Sequence, residues 1–186
     1  TSSERIRRLS SQLIVYDEIG KAIGGATSLQ GLLDVVLDQL CQATSADWGL
    51  LLLRSQFSND LELRSVKGLE LSAQQKELIT SGKGFLEPML QNPRDLVVKI
   101  FNEEEPFKSC NRIGFELPAL LLSPILVENR LLGIIALGDH ESGQFDVNDV
   151  HLVRGVARQA SQAILNALHR EEEAARSRHS RQFVRF

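Results

Sequence analysis

The sequence has few cysteines, few aromatic residues and no long apolar run. Two cysteines among 186 residues cannot form a disulfide framework, and they favour a reducing, cytoplasmic compartment. Aromatic residues make up 5%, which argues against the stacking surfaces that bind single-stranded nucleic acids. The longest mostly apolar stretch, 117–127, contains Pro118 and Pro124 and falls short of the roughly 18 residues of a membrane span. We therefore expect no membrane-spanning segment.

Neither sign of charge dominates, since 21 basic and 24 acidic residues leave a net charge of -3. A general nucleic-acid-binding protein has a basic excess, so no nucleic-acid partner is expected. An apolar content of 42% and a charged content of 24% are typical of a globular domain. The length predicts one domain with helical extensions, and the first residue, a threonine, suggests a segment of a longer protein.

Familiar catalytic and metal-binding patterns are missing. The segment 81–84, Ser-Gly-Lys-Gly, lacks the first glycine and the final Ser or Thr of a phosphate-binding loop. Neither a G-x-G-x-x-G nor a G-x-S-x-G pattern occurs. The acidic residues of 139–149 do not follow the spacing of a calcium loop, and the histidines are too scattered for a helical zinc site. We therefore expect no catalytic residues, no metal site and no enzyme activity.

The first twenty-five residues carry a heptad pattern. Apolar or small residues alternate at spacings of three and four, at Ile6, Leu9, Leu13, Tyr16, Gly20 and Ile23. This pattern predicts a helix that ends at Gly24 and Gly25 and packs either against a second chain or against its own domain. A second helix is predicted from Thr27, with Thr27 as N-cap and Gln30 completing a capping box.

Shorter patterns predict the remaining elements. We expect a hairpin, a short helix closed by Gly82, a strand and a second hairpin, in the order 48–53 with 61–65, 72–81, 95–101, and 117–127 with 131–137. Asp146 is the predicted N-cap of a long last helix, with Asp149 three residues on.

The two cysteines lie in different surroundings. Cys41 adjoins the apolar stripe of the second helix and is expected to fill the core. Cys110 lies in the unpatterned segment 101–115 beside Lys108 and Arg112, whose charges favour a thiolate. Long unpatterned segments in compact domains are often functional, so an inert and a reactive Cys110 both remain open.

Three segments, in this order, resemble the GAF domain, a sensory and regulatory module of bacterial signalling proteins: 29–53, 123–138 (S-P-I-L-V-E-N-R-L-L-G-I-I-A-L-G) and 145–165. The resemblance implies an α+β fold with a central antiparallel sheet of about five to six strands. Terminal helices would cover one face. A pocket covered by a loop and short helices would lie on the other.

The resemblance also implies an organisation along the chain. Residues 1–25 would form the N-terminal helix of a dimer interface, 26–168 the GAF-like domain, and 169–186 a helical linker toward an output domain. GAF domains commonly form homodimers through coiled-coil terminal helices. Their output domains include nucleotide cyclases, histidine kinases and transcription activators.

Departures from the family's patterns bear on the cofactor. Cyclic-nucleotide-binding members have Asn-Lys where this sequence has Gly138 and Asp139. Bilin-binding members have a histidine after the cysteine, whereas Asn111 follows Cys110 here. Members that reduce free methionine sulfoxide use several cysteines in one pocket, which Cys41 in a core helix does not supply. A cyclic nucleotide and a covalent bilin are therefore disfavoured, and the ligand is unknown.

The candidate ligand-binding residues all lie in or beside the unpatterned segment: Phe107, Cys110, Asn111, Arg112 and Phe115. The guanidinium of Arg112 suits an anionic group of a ligand. The first functional hypothesis is a small-molecule sensor that controls an attached output domain. The alternatives are a ligand-free dimerisation and signal-transmission module, whose own apolar side chains fill the pocket, and a thiol-dependent enzyme that uses Cys110.

Overall fold

A computed structural model describes the chain over residues 2–25, 28–55, 60–82, 86–98, 119–139 and 145–184. These residues form five helices and five strands. In chain order they are α1 (Ser2–Gly25), α2 (Leu29–Thr44), β1 (Trp48–Arg54), β2 (Leu61–Lys67), α3 (Ala73–Thr80), α4 (Glu87–Gln91), β3 (Leu96–Val98), β4 (Ala119–Val127), β5 (Arg130–Asp139) and α5 (Val147–Val184). The predicted α+β class is confirmed.

The strands form one antiparallel sheet in the order β2-β1-β5-β4-β3. Five strands in the described residues agree with the prediction of about five to six. The described residues of β3 pair with Leu120–Leu122, so Pro124 lies outside the part of β4 with which they pair. Proline has no N–H to donate, but at this position the missing donor removes no hydrogen bond to β3.

A tight turn joins β4 and β5, as predicted. Glu128 and Asn129 form it with φ angles of 52° and 63°. Two consecutive left-handed residues are typical of a hairpin turn whose twist matches that of the strands. Both faces of β4 and β5 are covered, which explains why these strands are continuous apolar runs rather than alternating ones.

Helices α1, α2 and α5 cover one face of the sheet, as predicted, and we call this side the helix face. Buried apolar side chains from all three helices meet those of the strands in one cluster. The strands contribute Leu51, Leu53, Ala119, Leu121, Ile125, Leu132, Ile135 and Leu137. Burial of this amphipathic surface, rather than intrinsic propensity, is the main source of stability for such helices.

The start of α2 differs from the prediction by one residue. Ser28, not Thr27, is the N-cap, and its hydroxyl accepts a hydrogen bond from the Gly31 amide at 3.1 Å. The predicted capping box is wrong because the residue three positions after Ser28 is Gly31, which has no side chain to bond back; the Gln30 side chain donates to Asp34 in the next turn, at 2.9 Å. Serine and threonine are both good N-caps, so the sequence does not separate these adjacent candidates.

The start of α5 agrees with the prediction. Asp146 Oδ1 accepts from the Asp149 amide, and Asp149 Oδ2 accepts from the Asp146 amide, both at 2.9 Å. The neighbouring Phe145 is buried in the helix-face cluster, where Val150 packs as well. Although α5 is 38 residues long, neither it nor any other helix of the described residues is apolar enough over a sufficient length to cross a bilayer.

The two halves of α1 have different surroundings. In the second half, Val15 and Ile19 are buried in the helix-face cluster. In the first half, the predicted heptad positions Ile6, Leu9 and Leu13 are 63%, 55% and 68% exposed. The heptad pattern therefore includes a part that packs on its own domain and a part that faces solvent in the single chain.

Candidate functional site

The candidate ligand-binding side is the sheet face opposite the terminal helices, which we call the roof face. Strand side chains form its floor and helices α3 and α4 lie over it. The buried apolar cluster comprises Trp48, Leu50, Leu52, Leu61, Ile79, Leu86, Met89, Leu120, Leu122, Leu131, Ile134 and Ala136. Ile79 of α3 and Met89 of α4 are at most 1% exposed, so side chains of both helices pack on the floor.

Trp48 closes one end of the roof face. It pairs with Gly138 in the register of β1 and β5, and a Cβ at Gly138 would overlap the indole ring. Only glycine lets the ring lie across β5 at this position. The indole therefore occupies floor area that any other residue at 138 would take.

Local sequence signals place α3 and α4 over the floor. Ser72 and Gln75 form a reciprocal capping box, with Gln75 Oε1 accepting from the Ser72 amide at 2.9 Å. Gly82 follows α3 with a φ of 72°, and a Cβ there would clash with the Leu90 side chain of α4. The predicted helix over 72–81 and its closure by Gly82 are confirmed. The capping box stabilises the start of α3. The close approach of Gly82 to Leu90 places the end of α3 against α4.

The predicted ligand-binding residues Phe107, Cys110, Asn111, Arg112 and Phe115 all lie outside the described residues, which stop at Val98 and resume at Ala119. The ends of the intervening segment are nonetheless defined. Val98 pairs with Leu120, so the segment starts and ends at two neighbouring strands. The sheet thus places both ends of the candidate ligand segment at its β3 edge.

The buried polar side chains in the described part of the chain are Thr44, Ser65 and Ser123, and all three belong to the helix face. Ser123 of β4 donates from Oγ to Asp95 Oδ1 at 2.7 Å. The same carboxylate accepts from Arg154 Nε of α5 through Oδ2 at 2.6 Å. Sequence reasoning missed this cluster, although a serine inside the apolar run 117–127 is a signal for a buried polar partner.

A second polar cluster lies at the opposite edge of the sheet. Ser65 of β2 donates from Oγ to Asp34 Oδ1 of α2 at 2.6 Å. Gln30 Nε2 donates to the Arg64 carbonyl at 2.7 Å. The Arg64 guanidinium in turn lies 3.5 Å from Glu171 Oε1 of α5. Each edge strand is thus tied to the helices by hydrogen bonds and an ion pair.

Cys41 lies on the helix face, between α2 and β1. Its Sγ contacts the position where a Cβ at Gly49 would lie, and the side chain packs against the helix-face cluster. Burial, reinforced by the Asp38 carboxylate and opposed by Lys67, raises the pKa of the Cys41 thiol to about 11. The thiol is therefore protonated at neutral pH and a poor nucleophile. This agrees with the predicted role as a core residue; Cys110 lies outside the described residues.

Of the acidic residues of 139–149 that the structure describes, Asp139 ends β5, and Asp146 and Asp149 cap α5. Asp146 and Asp149 bond each other's backbone amides, as given above. Within the described residues, no group of three or more histidine, cysteine or acidic side chains is placed to hold a metal ion.

The model of the GAF domain family matches residues 28–164. A search of the curated proteins found no match. Among solved structures, the chain resembles the GAF domain of a phosphoenolpyruvate-protein phosphotransferase (ptsP) from Coxiella burnetii, with 20% identity and a TM-score of 0.75, over 88% of this chain and 98% of that one.

Two further structures are similar in fold. The free methionine-R-sulfoxide reductase of Neisseria meningitidis, solved with its substrate, has 16% identity and a TM-score of 0.69 over 83% of this chain and 89% of that one. The GAF domain of a candidate sensor histidine kinase from Pseudomonas syringae pv. tomato has 19% identity and a TM-score of 0.61, over 94% and 96%. At these identities the likeness is one of fold.

Proposed function

The chain belongs to the GAF domain family, and from that membership we propose that it is a regulatory, non-enzymatic sensor domain that controls an attached output domain. The observation that carries the proposal is the course of α5. This helix packs on the helix face, and Leu168 is the last buried residue among its described side chains, which end at His179, yet the helix continues to Val184. A helix that packs on the domain and then extends beyond it can pass a change in the domain to whatever follows in the chain.

The relative direction of α1 and α5 supports transmission along the helices. Tyr16 lies against Gly155, where a Cβ would overlap its hydroxyl, and Gln159 Nε2 donates to the Tyr16 carbonyl at 3.1 Å. One turn further along α1, Gly20 lies next to Gln159. Both helices therefore advance in the same direction, so the chain reaches the domain at one end and leaves it at the other. We propose that residues 169–186 are the linker to an output domain such as a nucleotide cyclase, a histidine kinase or a transcription activator.

We further propose that two copies associate through the exposed half of α1. Ile6, Leu9, Leu13 and Ile14 are each more than half exposed. Four large apolar side chains within nine residues form a surface that favours association. The spacings from Ile6 to Leu9 and from Leu9 to Leu13 are three and four residues, as in a heptad repeat. This spacing suits a coiled-coil contact with the same helix of a second copy.

Native mass spectrometry tests the dimer. We expect a mass of two chains for the unmodified protein and of one chain for the double variant Leu9→Gln, Leu13→Gln. The matched control is Val35→Gln, which changes another exposed apolar helix residue, 39% exposed, outside α1. A monomeric unmodified protein, or a double variant that stays dimeric, contradicts the proposed interface.

The proposed ligand site is the segment between β3 and β4, around Phe107, Cys110, Asn111, Arg112 and Phe115. Arg112 would bind an anionic group of the ligand. Native mass spectrometry also tests ligand binding at this segment, because a tightly retained small molecule adds its mass to that of the protein. We expect the added mass to be lost in Arg112→Ala and kept in the neighbouring control Lys108→Ala. Equal retention in both variants removes Arg112 from the site.

A ligand-free dimerisation and signal-transmission module is the second candidate. The specific observation in its favour is that apolar side chains of the chain itself pack on the floor of the roof face. Ile79 of α3, Leu86 just before α4 and Met89 of α4 are all buried there. A dimer without added mass, even when isolated gently from the expressing cells, would favour this candidate over the sensor.

The proposal includes the absence of enzymatic activity and a cytoplasmic location. Similarity to a methionine sulfoxide reductase at 16% identity is a similarity of fold. Cys41 has a raised pKa and lies on the helix face, so thiol chemistry on the roof face would depend on Cys110. A Cys110→Ser variant that loses a measurable turnover would overturn the non-enzymatic proposal. The free thiol of Cys41 fits a reducing cytoplasm.

A further inference from the structure

Helix α5 is held by an ion pair at each edge of the sheet. Arg154 pairs with Asp95 beside β3, and Glu171 pairs with Arg64 of β2. The helical distance between Arg154 and Glu171 is about 25 Å, which exceeds the roughly 19 Å across five strands. The helix is therefore long enough to reach side chains at both edges of the sheet, and in between it packs chiefly on β4.

The two ion pairs differ in environment. Arg154 is 41% exposed, but the Asp95 side chain is only 15% exposed, and its second oxygen bonds Ser123, which is 1% exposed. Glu171 is 52% exposed, and Arg64 divides its charge between Glu171 and Glu62. Exposed pairs are screened by water, whereas a carboxylate with two short hydrogen bonds and little solvent depends on those partners. The pair at the β3 edge is thus the stronger link.

Asp95 also occupies a particular place in the chain. It immediately precedes β3, which in the described part of the chain has three residues, lies at the edge of the sheet and pairs with β4. These three residues can form few backbone hydrogen bonds to hold their position. One carboxylate therefore connects β3, β4 through Ser123, and α5 through Arg154.

We propose that the Asp95–Arg154 ion pair couples the position of β3 to that of α5 and is the route by which a change at the β3 edge reaches the signalling helix. Its regulatory use rests on the proposed function, because β3 leads in the chain to the proposed ligand residues. The coupling itself requires neither a ligand nor a dimer. Asp95 and Arg154 are positioning residues that act through the elements they join.

Hydrogen exchange followed by mass spectrometry tests the coupling on the full 186-residue chain. The probe is Val97→Pro, which disturbs β3 directly by removing a backbone donor. In the otherwise unmodified protein we expect Val97→Pro to speed exchange in 150–158 of α5 at least threefold. In an Arg154→Gln background, the same change should leave exchange in that segment unaltered.

Two further variants make the result decisive. Glu171→Gln breaks only the exposed pair, so Val97→Pro should retain its effect on α5 in that background. Arg154→Lys keeps the charge and replaces Arg154→Gln if the latter does not fold; we expect it to reduce the transmitted effect. An effect of Val97→Pro that is equal in the Arg154 and Glu171 backgrounds, or absent in all of them, overturns the proposal. A monomeric or ligand-free protein would overturn the proposed function and leave this test valid.

Discussion

The two faces of the sheet are held by different kinds of interaction. The roof face in the described residues is an apolar cluster under two short helices. The helix face has an apolar cluster as well, and it also contains the buried serines Ser65 and Ser123 with their carboxylate partners. Apolar contacts are not directional, whereas hydrogen bonds fix one relative position. On the helix face, hydrogen bonds therefore fix the positions of α2 and α5 relative to the sheet.

The largest expected effect is the loss of a floor side chain from the roof face. Leu52 is fully buried there, so Leu52→Ala should lower the free energy of unfolding by about 2–5 kcal/mol. Leu126→Ala is the control on the same sheet, because Leu126 is 38% exposed and should cost less than about 1 kcal/mol. Urea unfolding measures both, and equal losses would contradict the assignment of the floor.

A smaller loss is expected from crowding the roof face. Gly138→Ala places a methyl group against the Trp48 ring and should lower the free energy of unfolding by about 1–3 kcal/mol. Gly24→Ala is the matched control, since nothing lies within 4 Å of its Cβ position and alanine stabilises helices by up to about 1 kcal/mol. The prediction fails if both substitutions raise stability. Trp48 fluorescence reports the local change.

On the helix face, the loss of one hydrogen bond should cost less. Ser65→Ala removes the donor to Asp34 and should lower the free energy of unfolding by about 1 kcal/mol. Ser161→Ala is the control, because Ser161 bonds only the Arg158 carbonyl within its own helix. Alanine favours the helix there, so this variant should be neutral or slightly more stable. Similar losses in both variants would show that the bond to Asp34 adds nothing.

Near neutral pH the smallest effect on stability is that of the Cys41 thiol, which becomes larger only in alkali. Because the folded state raises the pKa of the Cys41 thiol to about 11, its stabilising contribution is complete below the ordinary thiol pKa and is lost as pH rises toward 11. Alkylation of Cys41 in a Cys110→Ser background should be at least tenfold slower in the folded protein than in denaturant at pH 8. Equal rates would place Cys41 outside the helix-face core.

Much of the fold could be predicted from local patterns. Asp146 with Asp149, Ser72 to Gly82, and the turn at Glu128 and Asn129 each have chemistry that acts over a few residues. Such signals are legible in sequence because the partners are near in the chain. The cap of α2 was misplaced by one residue because two adjacent hydroxyl residues can fill the same role.

The polar links on the helix face could not be predicted in the same way. Asp95 and Arg154 are 59 residues apart, and no spacing rule joins them. Ser123 stood out only as a polar residue in an apolar run, without indicating its partner. The division of α1 also escaped prediction, because the same heptad spacing suits contact within a chain and contact between chains.

The sequence by itself determined the element order, the GAF family resemblance and the absence of familiar catalytic patterns, because these depend on residue type and short-range spacing. The tertiary structure alone decided which half of α1 is exposed and which carboxylate ties α5 to the β3 edge. Those facts depend on which surfaces meet when the sheet forms. Pairing of distant strands brings together residues whose separation along the chain contains no information about their contact.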